Sequence, residues 1–269
     1  MGMRFTGERV IPEMPEMRVT FLQSLAAYEF AAQLASGKRV LDCGSGEGYG
    51  TALLANDAAF VVGLDRDPET VAYASGKYAD AERAAFIVAN ADRLPFADDS
   101  FGLAVCFQVI EHLPDPLAFI REVHRLLAPG GTFVLTTPNL LVTGARPNPH
   151  HVHDYAPDDL RGLLERVFAD VELRGVFAGE HVAAYRARND RIVRTIMRLD
   201  PLGLHRRIPS RLVESVHIRV TRLIRGRLNA SNPDLVSSLT TADFPIGSEQ
   251  IEHAIDLLAA CRKRAGLSS

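Results

Sequence analysis

The run Val40-Leu41-Asp42-Cys43-Gly44-Ser45-Gly46-Glu47-Gly48-Tyr49-Gly50 constrains the fold of this chain more than any other segment. A short apolar stretch ends in an acid, and glycines then fall at alternate positions. The apolar stretch reads as a buried parallel strand. The glycines permit a sharp turn and let a ligand lie against bare backbone. From Tyr49 to Ala55 a helix is expected to begin. Strand, glycine loop and helix together form a nucleotide cradle. The spacing is G-x-G-x-G, not the G-x-G-x-x-G that seats a pyrophosphate on a helix N-terminus. Asp42 stands two residues before the first glycine, where its charge would repel a pyrophosphate and suit a cationic ligand.

Two further strand ends extend this pattern. Val61-Val62-Gly63-Leu64-Asp65 is an apolar run ending in an acid, 23 residues after Asp42. An acid at that tip can accept hydrogen bonds from both hydroxyls of a ribose. The run Ala85-Phe86-Ile87-Val88 leads into Asn90-Ala91-Asp92, whose acid can accept from an adenine amino group. Asp42, Asp65 and Asp92 would then lie along one ligand.

Strands and helices alternate from residue 19 to about 179, a pattern of parallel strands with helices on both faces. A helix over Val19–Leu34 precedes strands near 39–43, 60–64, 85–88, 102–107 and 131–136. The clearest later helices are Pro116–Leu127 and Pro157–Phe168, and a sixth strand is expected at Val171–Val176. Pro129-Gly130-Gly131 reads as a helix stop and turn before the fifth strand. Ile255–Cys261 is apolar and carries no periodicity that separates strand from helix.

The charge is unevenly spread. Residues 180–232 hold 12 Arg against 4 Asp or Glu, whereas the remainder holds 18 basic against 29 acidic residues. Leu212, Val216, Val220 and Leu223 recur at helical spacing beside Arg211, Arg219, Arg222 and Arg225, which makes a basic amphipathic helix. The first reading of this helix is a cap that packs its apolar stripe on the main domain. Attraction to a membrane surface or polyanion is a second reading, and a homodimer interface a third. With 47% hydrophobic residues in 269, a full core needs no staples. No apolar run reaches membrane-spanning length and no signal peptide is evident. Cys43, Cys106 and Cys261 are odd in number and lack metal spacing, so reduced core thiols in a cytoplasmic protein are expected.

The segments Leu41–Gly48, Gly63–Asp65, Asn90–Phe96, Phe101–Leu113 and Leu126–Asn139, in this order, resemble the class I methyltransferases dependent on S-adenosylmethionine (SAM). The resemblance implies an α/β fold: a Rossmann-like seven-stranded sheet with helices on both faces and a helical insertion near the active site. It makes the C-terminal run the seventh, antiparallel strand. The expected organisation is an N-terminal segment and pre-helix over 1–36, a SAM-binding core over 37–179, a basic, mostly helical cap over 180–250, and a returning strand over 251–269. SAM is the expected cofactor. Its candidate ligands are Asp42, Gly44, Ser45, Gly46, Gly48, Asp65, Arg66, Ala91, Asp92 and Gln108.

Methyl transfer to a hydroxyl needs a base, and open α/β sheets bind ligands at the carboxyl ends of their strands. After the fourth strand stands Phe107-Gln108-Val109-Ile110-Glu111-His112-Leu113. This run resembles quinone O-methyltransferases, whose E-x-x-E-H can hold a divalent metal. Here Gln108 replaces the first glutamate, which weakens a hard-cation site such as one for Mg²⁺. After the fifth strand stands Asn148-Pro149-His150-His151-Val152-His153-Asp154-Tyr155. Histidine is suited to proton traffic near neutral pH, and the neighbouring acid can orient an imidazole. Related methyltransferases carry N-P-aromatic-H and an acid here, so His151 is the first candidate base. Glu111 and His112 are the rival pair.

The opening Phe5-Thr6-Gly7-Glu8-Arg9-Val10-Ile11-Pro12, the run Phe107–Leu113, and Thr240-Thr241-Ala242-Asp243-Phe244 resemble actinobacterial enzymes of polymethylated polysaccharides. That resemblance implies a sugar hydroxyl as acceptor, in an oligosaccharide or polysaccharide precursor. Glu8, Arg9, Tyr49, His153, Tyr155 and Asp243 are the candidate acceptor ligands. A quinone or phenol is the alternative acceptor. Nucleic acid is disfavoured, because strand four lacks an Asn/Asp-Pro-Pro-aromatic turn and no aromatics interleave with the arginines.

Overall fold

The computed structural model describes residues 10–90, 94–144, 151–188 and 233–265. By its internal contacts the chain divides into two compact units, one of Met1–Gln23 with Ala178–Pro245 and one of Ser24–Phe177 with Ile246–Ser269.

The larger unit is built on one sheet. Its elements are the end of α1 (Arg18–Ala32), β1 (Arg39–Cys43), α2 (Tyr49–Leu54), β2 (Phe60–Asp65), α3 (Pro68–Lys77), β3 (Ala84–Val88), β4 (Phe101–Phe107), α4 (Pro116–Leu126), β5 (Leu127–Pro138), α5 (Leu140–Thr143), α6 (Pro157–Glu165), β6 (Asp170–Val176), β7 (Ile246–Gly247) and β8 (Asp256–Arg262). The strand order is β3-β2-β1-β4-β5-β8-β6-β7. β1 to β5 pair in parallel, and β8 runs antiparallel to both β5 and β6.

Local signals account for the helix starts. Pro68, Pro116 and Pro157 each open a helix, where a missing N–H costs nothing. Asp67 caps α3 by accepting from Glu69 N at 3.2 Å, and Asp115 caps α4 by accepting from Ala118 N at 2.9 Å. α4 then lays Phe119, Ile120, Val123 and Leu126 into the core beside Phe133 and Phe168.

Three expectations are corrected. Among the described residues the sheet has eight strands, not seven: Ile246–Gly247 adds a two-residue strand to the end of β6. So short a strand carries no alternation of its own and forms only because Gly175 and Val176 offer it an edge. β5 begins at Leu127, not at 131. The turn at Gly130 is absorbed as a shift of register, with Gly130 N donating to Lys263 O and Lys263 N to Gly131 O. The last expected helix ends at Glu165, since Arg166 to Phe168 close it with turns onto Leu164 O.

The order reverses at β1. From there the chain runs outward to β2 and β3, then crosses back to β4 on the other side. Right-handed crossovers in the two directions carry their helices to opposite faces, and the crevice lies at the carboxyl ends of β1 and β4. The two loops that leave those ends abut. A Cβ built on Gly44 would overlap Val109 Cγ2 far inside van der Waals contact, so this glycine is required by the packing of one loop on the other.

In the smaller unit, residues 180–188 are helical and a second helix spans Pro233–Ser238. Arg18 stops the latter by donating to Val236 O at 2.8 Å, Ser237 O at 3.1 Å and Leu239 O at 2.9 Å. The basic amphipathic helix expected between 211 and 225 lies outside the described residues. Among the described residues no helix is long and apolar enough to cross a membrane.

Candidate functional site

Asp42 is the last residue but one of β1 and is fully buried. Thr51 Oγ1 donates to its Oδ2 at 2.6 Å, and Tyr28 Oη lies 3.1 and 3.3 Å from its two oxygens. Burial pushes the carboxyl up to about 6, against the opposing pull of the Thr51 and Tyr28 hydroxyls and with a smaller upward push from Asp65. Tyr28 is held in turn by edge contacts with Phe107 at 4.7 Å and Tyr49 at 5.5 Å. Its ring occupies the place a Cβ on Gly50 would take. Thus α1 is tied to the glycine loop through one buried carboxylate. Thr51 was not singled out from sequence; its signal is a buried polar residue one turn into a helix otherwise apolar on that face.

The loop itself is pinned, since Gly44 N and Ser45 N both donate to Leu64 O at 2.8 Å. The absent Cβ of Gly48 makes room for Phe86, whereas above Gly46 there is open space. Ser45 Oγ is buried and has no hydrogen-bond partner among the described residues. An open backbone stretch with an orphaned donor beside a buried carboxylate fits a polar cofactor carrying both ammonium and carboxylate groups. Asp65 sits at the tip of β2, next to the loop, with Oδ1 accepting from Asp67 N at 2.9 Å. Arg66 beside it is exposed. Ala91 and Asp92 lie outside the described residues.

A second cluster gathers at the ends of β4 and β5. Gln108 leaves β4 with φ at +56°, a backbone state rare for a side chain of its kind. Its Nε2 donates to Thr136 Oγ1 at 3.3 Å. The next turn of chain, Ile110–His112, is a single 3-10 turn that buries Glu111 at 1% exposure. Thr137 Oγ1 on β5 donates to Glu111 Oε2 at 3.1 Å. The backbone carbonyl of Glu111 accepts from Val152 N at 2.8 Å and His153 N at 3.1 Å. Those two bonds tie the histidine segment to the 3-10 turn. In consequence the rings of His112 and His151 meet edge to face, 5.1 Å apart. One ligand atom each from Glu111, His112 and His151 lies within 4.8 Å of the others. The structure therefore joins two motifs that the sequence presents as rivals.

His151 is only 15% exposed, and its Nδ1 stands 3.2 Å from Asp154 Oδ1. A carboxylate at Nδ1 favours the tautomer whose lone pair is on Nε2. His153 and Tyr155 follow, with ring centres 6.1 Å apart. His153 Nε2 and Tyr155 Oη are buried and find no hydrogen-bond partner among the described residues. Burial first, then the charge of Glu111, raises the phenol of Tyr155 well above its usual range, so it stays a neutral donor. Val152, within the segment, and Leu141 are exposed.

The other candidates fall elsewhere. The Tyr49 hydroxyl pairs with Ser24 within the larger unit, and burial raises its pKa. Asp243 belongs to the smaller unit, where its Oδ2 accepts from Thr240 N at 2.9 Å and caps a 3-10 turn. Glu8, Arg9 and His150 lie outside the described residues. All three cysteines are buried and free, and burial drives their thiols upward, so none is a thiolate nucleophile.

Comparison with known proteins bears on this geometry. Residues 41–135 match the family model described as a methyltransferase domain. A probable SAM-dependent methyltransferase of Mycolicibacterium smegmatis is 39% identical over 68% of this chain and 72% of its own length. A probable SAM-dependent methyltransferase of Mycobacterium tuberculosis is 34% identical over 94% of this chain and 87% of its own. A ubiquinone biosynthesis O-methyltransferase of Cereibacter sphaeroides is 28% identical over 61% of this chain and 75% of its own. Among solved structures, a SAM-dependent methyltransferase from Thermotoga maritima superposes with a TM-score of 0.58 at 13% identity, over 92% of this chain and 94% of that one.

Proposed function

Because this chain belongs to the SAM-dependent methyltransferases, we propose that it methylates a sugar hydroxyl of an oligosaccharide or polysaccharide precursor. The observation that carries the reading is the convergence of Glu111, His112 and His151 at the strand ends, beside the orphaned polar atoms of His153 and Tyr155. An acceptor rich in hydroxyls satisfies such groups, whereas an apolar aromatic would leave them unpaired. The resemblance of the N-terminal and C-terminal segments to enzymes of polymethylated polysaccharides supports the same acceptor. Three buried free thiols support a cytoplasmic protein.

SAM supplies a methyl group already activated on a sulfonium. The chain supplies position and proton handling. Asp42, through Thr51 and Tyr28, sets the loop and faces the ammonium end. Gly46 and Ser45 admit the backbone of the cofactor's amino acid. Asp65 accepts from the ribose hydroxyls, and Ala91 with Asp92 reads the adenine. His151, aimed by Asp154, takes the proton that the acceptor hydroxyl loses at Nε2. Tyr155 and His153 bind neighbouring hydroxyls.

A quinol or other phenol is the second acceptor reading. The likeness to the Cereibacter enzyme and the adjacent Glu111 and His112 favour it. Transfer of labelled methyl from SAM to short manno- and gluco-oligosaccharides, quinols and RNA separates these readings. Label on oligosaccharides is expected; label on quinols alone overturns the sugar assignment.

A further inference from the structure

We infer that Asn139 is a positioning residue of the acceptor edge: its side chain locks the turn after β5, and that turn holds the end of the histidine segment that the Glu111 carbonyl does not reach. The role rests on this edge being the acceptor site. Asn139 follows β5 directly and is fully buried. Each of its polar atoms is used. Oδ1 accepts from Leu141 N at 3.1 Å and so caps α5. Nδ2 donates to three backbone carbonyls, those of Ala254 at 2.9 Å, Ile251 at 3.1 Å and Glu252 at 3.3 Å. The backbone N donates to Ile255 O at 3.3 Å, and the backbone carbonyl accepts from Thr143 Oγ1 at 2.8 Å. A helix cap alone calls only for an acceptor, and Asp, Ser or Thr would serve there as well. The three carbonyls call for a donor, which an amide has and a carboxylate lacks. Asparagine is therefore needed for more than the cap. Its amide joins the end of β5 to the 3-10 turn Ile251–His253, all within the larger unit.

The same turn meets the histidine segment. Asn139 and Tyr155 form an isolated parallel bridge, and Leu140 N donates to Tyr155 O at 2.9 Å. Ile251 packs against the same core that buries Tyr155. Nearer its start, the segment hangs from Glu111 O through Val152 N and His153 N. The stretch from His151 to Tyr155 is thus tied twice, once to the turn after β4 and once to the turn after β5. The first tie is made by backbone alone. The second depends on a turn whose place is set by the Asn139 amide. A displacement of about 1 Å at a reacting group costs roughly 10²-fold in rate. A base on this segment, and hydroxyl ligands beside it, therefore need both ties. Asn139 touches none of the reacting atoms and acts through Leu140 and Tyr155.

The test compares Asn139→Asp and Leu140→Pro with the unaltered full chain. Asn139→Asp keeps the acceptor that caps α5 and sets an oxygen against the three carbonyls. Leu140→Pro removes the donor to Tyr155 O at the first position of a helix, where proline is well accepted. The residue before it already has extended backbone, with ψ at 113°, as proline requires. Hydrogen exchange followed by mass spectrometry should run at least about tenfold faster in a peptide covering 151–155 of both variants. A peptide covering 41–51 should exchange as before, and the SAM dissociation constant should barely move. Turnover per SAM-binding site should fall about 10–100-fold for Asn139→Asp and about 3–10-fold for Leu140→Pro. An asparagine that only stabilises the fold would lower the denaturation midpoint and leave turnover per SAM-binding site intact, and that result overturns the role. Unchanged exchange at 151–155, or exchange that quickens equally in both peptides, overturns it as well. Should Asn139→Asp fail to fold, Leu140→Pro decides alone. The acceptor reading fails separately. Label on quinols alone removes the sugar, while the same per-site losses with a quinol keep Asn139 in its role.

Discussion

The carboxyl ends of β1 and β4 are neighbours in one sheet, yet they are finished in opposite ways. At β1 the acid and the loop amides are answered, while Ser45 Oγ stays open among the described residues. Asp42 takes hydrogen bonds from Thr51 and Tyr28, and the amides of Gly44 and Ser45 share one carbonyl. At β4 and β5 Glu111 and His151 find partners in Thr137 and Asp154, while His153 Nε2 and Tyr155 Oη have none among the described residues. An unpaired buried polar atom costs about 1–3 kcal/mol. The second edge is therefore held together by its tethers, the Glu111 carbonyl and Thr137, and gains from any ligand that brings hydroxyls. On the reading proposed above, the cofactor meets the ordered loop and the acceptor meets the open groups.

If the edges are energetically separate, a change at one should leave the other alone. The largest effect is expected from His151→Ala, which should lower turnover about 10²–10⁴-fold while the SAM dissociation constant measured by calorimetry barely moves. Equal losses in both would join the edges into one device. Next is Gly50→Ala. Its Cβ would enter the ring of Tyr28, so urea denaturation should show a loss of about 1–3 kcal/mol, and SAM binding should weaken with it. Unaltered stability would mean that α1 does not clamp the loop.

The pH dependence of SAM binding separates the edges again. Asp42 in the free enzyme titrates near 6, above its ordinary value, so below that pH the folded protein carries the proton and the carboxylate must be regenerated to face a cation. SAM affinity should be flat above pH 7 and fall as pH drops below 6, by up to about tenfold per unit. Asp42→Asn should flatten that slope. A slope that survives the substitution would assign it to another group. The smallest effect is expected from Tyr28→Phe, which removes one donor to a buried carboxylate at a cost of about 1 kcal/mol and moves the same pH midpoint upward.

How much of this was legible in the chain differs between the edges. The β1 edge is local: strand, acid, glycines and helix follow within eleven residues, and hydrophobic run and turn chemistry act over that range. The same locality explains why the helix starts at Pro116 and Pro157 and the bounds of β1 to β4 and β6 fall close to expectation. The two-residue strand at Ile246–Gly247 escaped because an edge elsewhere creates it. The β4 edge was half legible. Glu111, His112, His151, His153 and Asp154 were each visible as residue types. Nothing in a linear pattern says that a segment some 40 residues downstream hangs from the carbonyl of Glu111, nor that Thr137 steers its carboxylate. Glycine spacing and strand-end acids determined the fold and the cofactor cradle, because those depend on backbone preferences of neighbouring residues. Tertiary packing alone decided that two histidines from different loops meet one buried glutamate, because that meeting rests on hydrogen bonds between segments the chain brings together only when the sheet is complete.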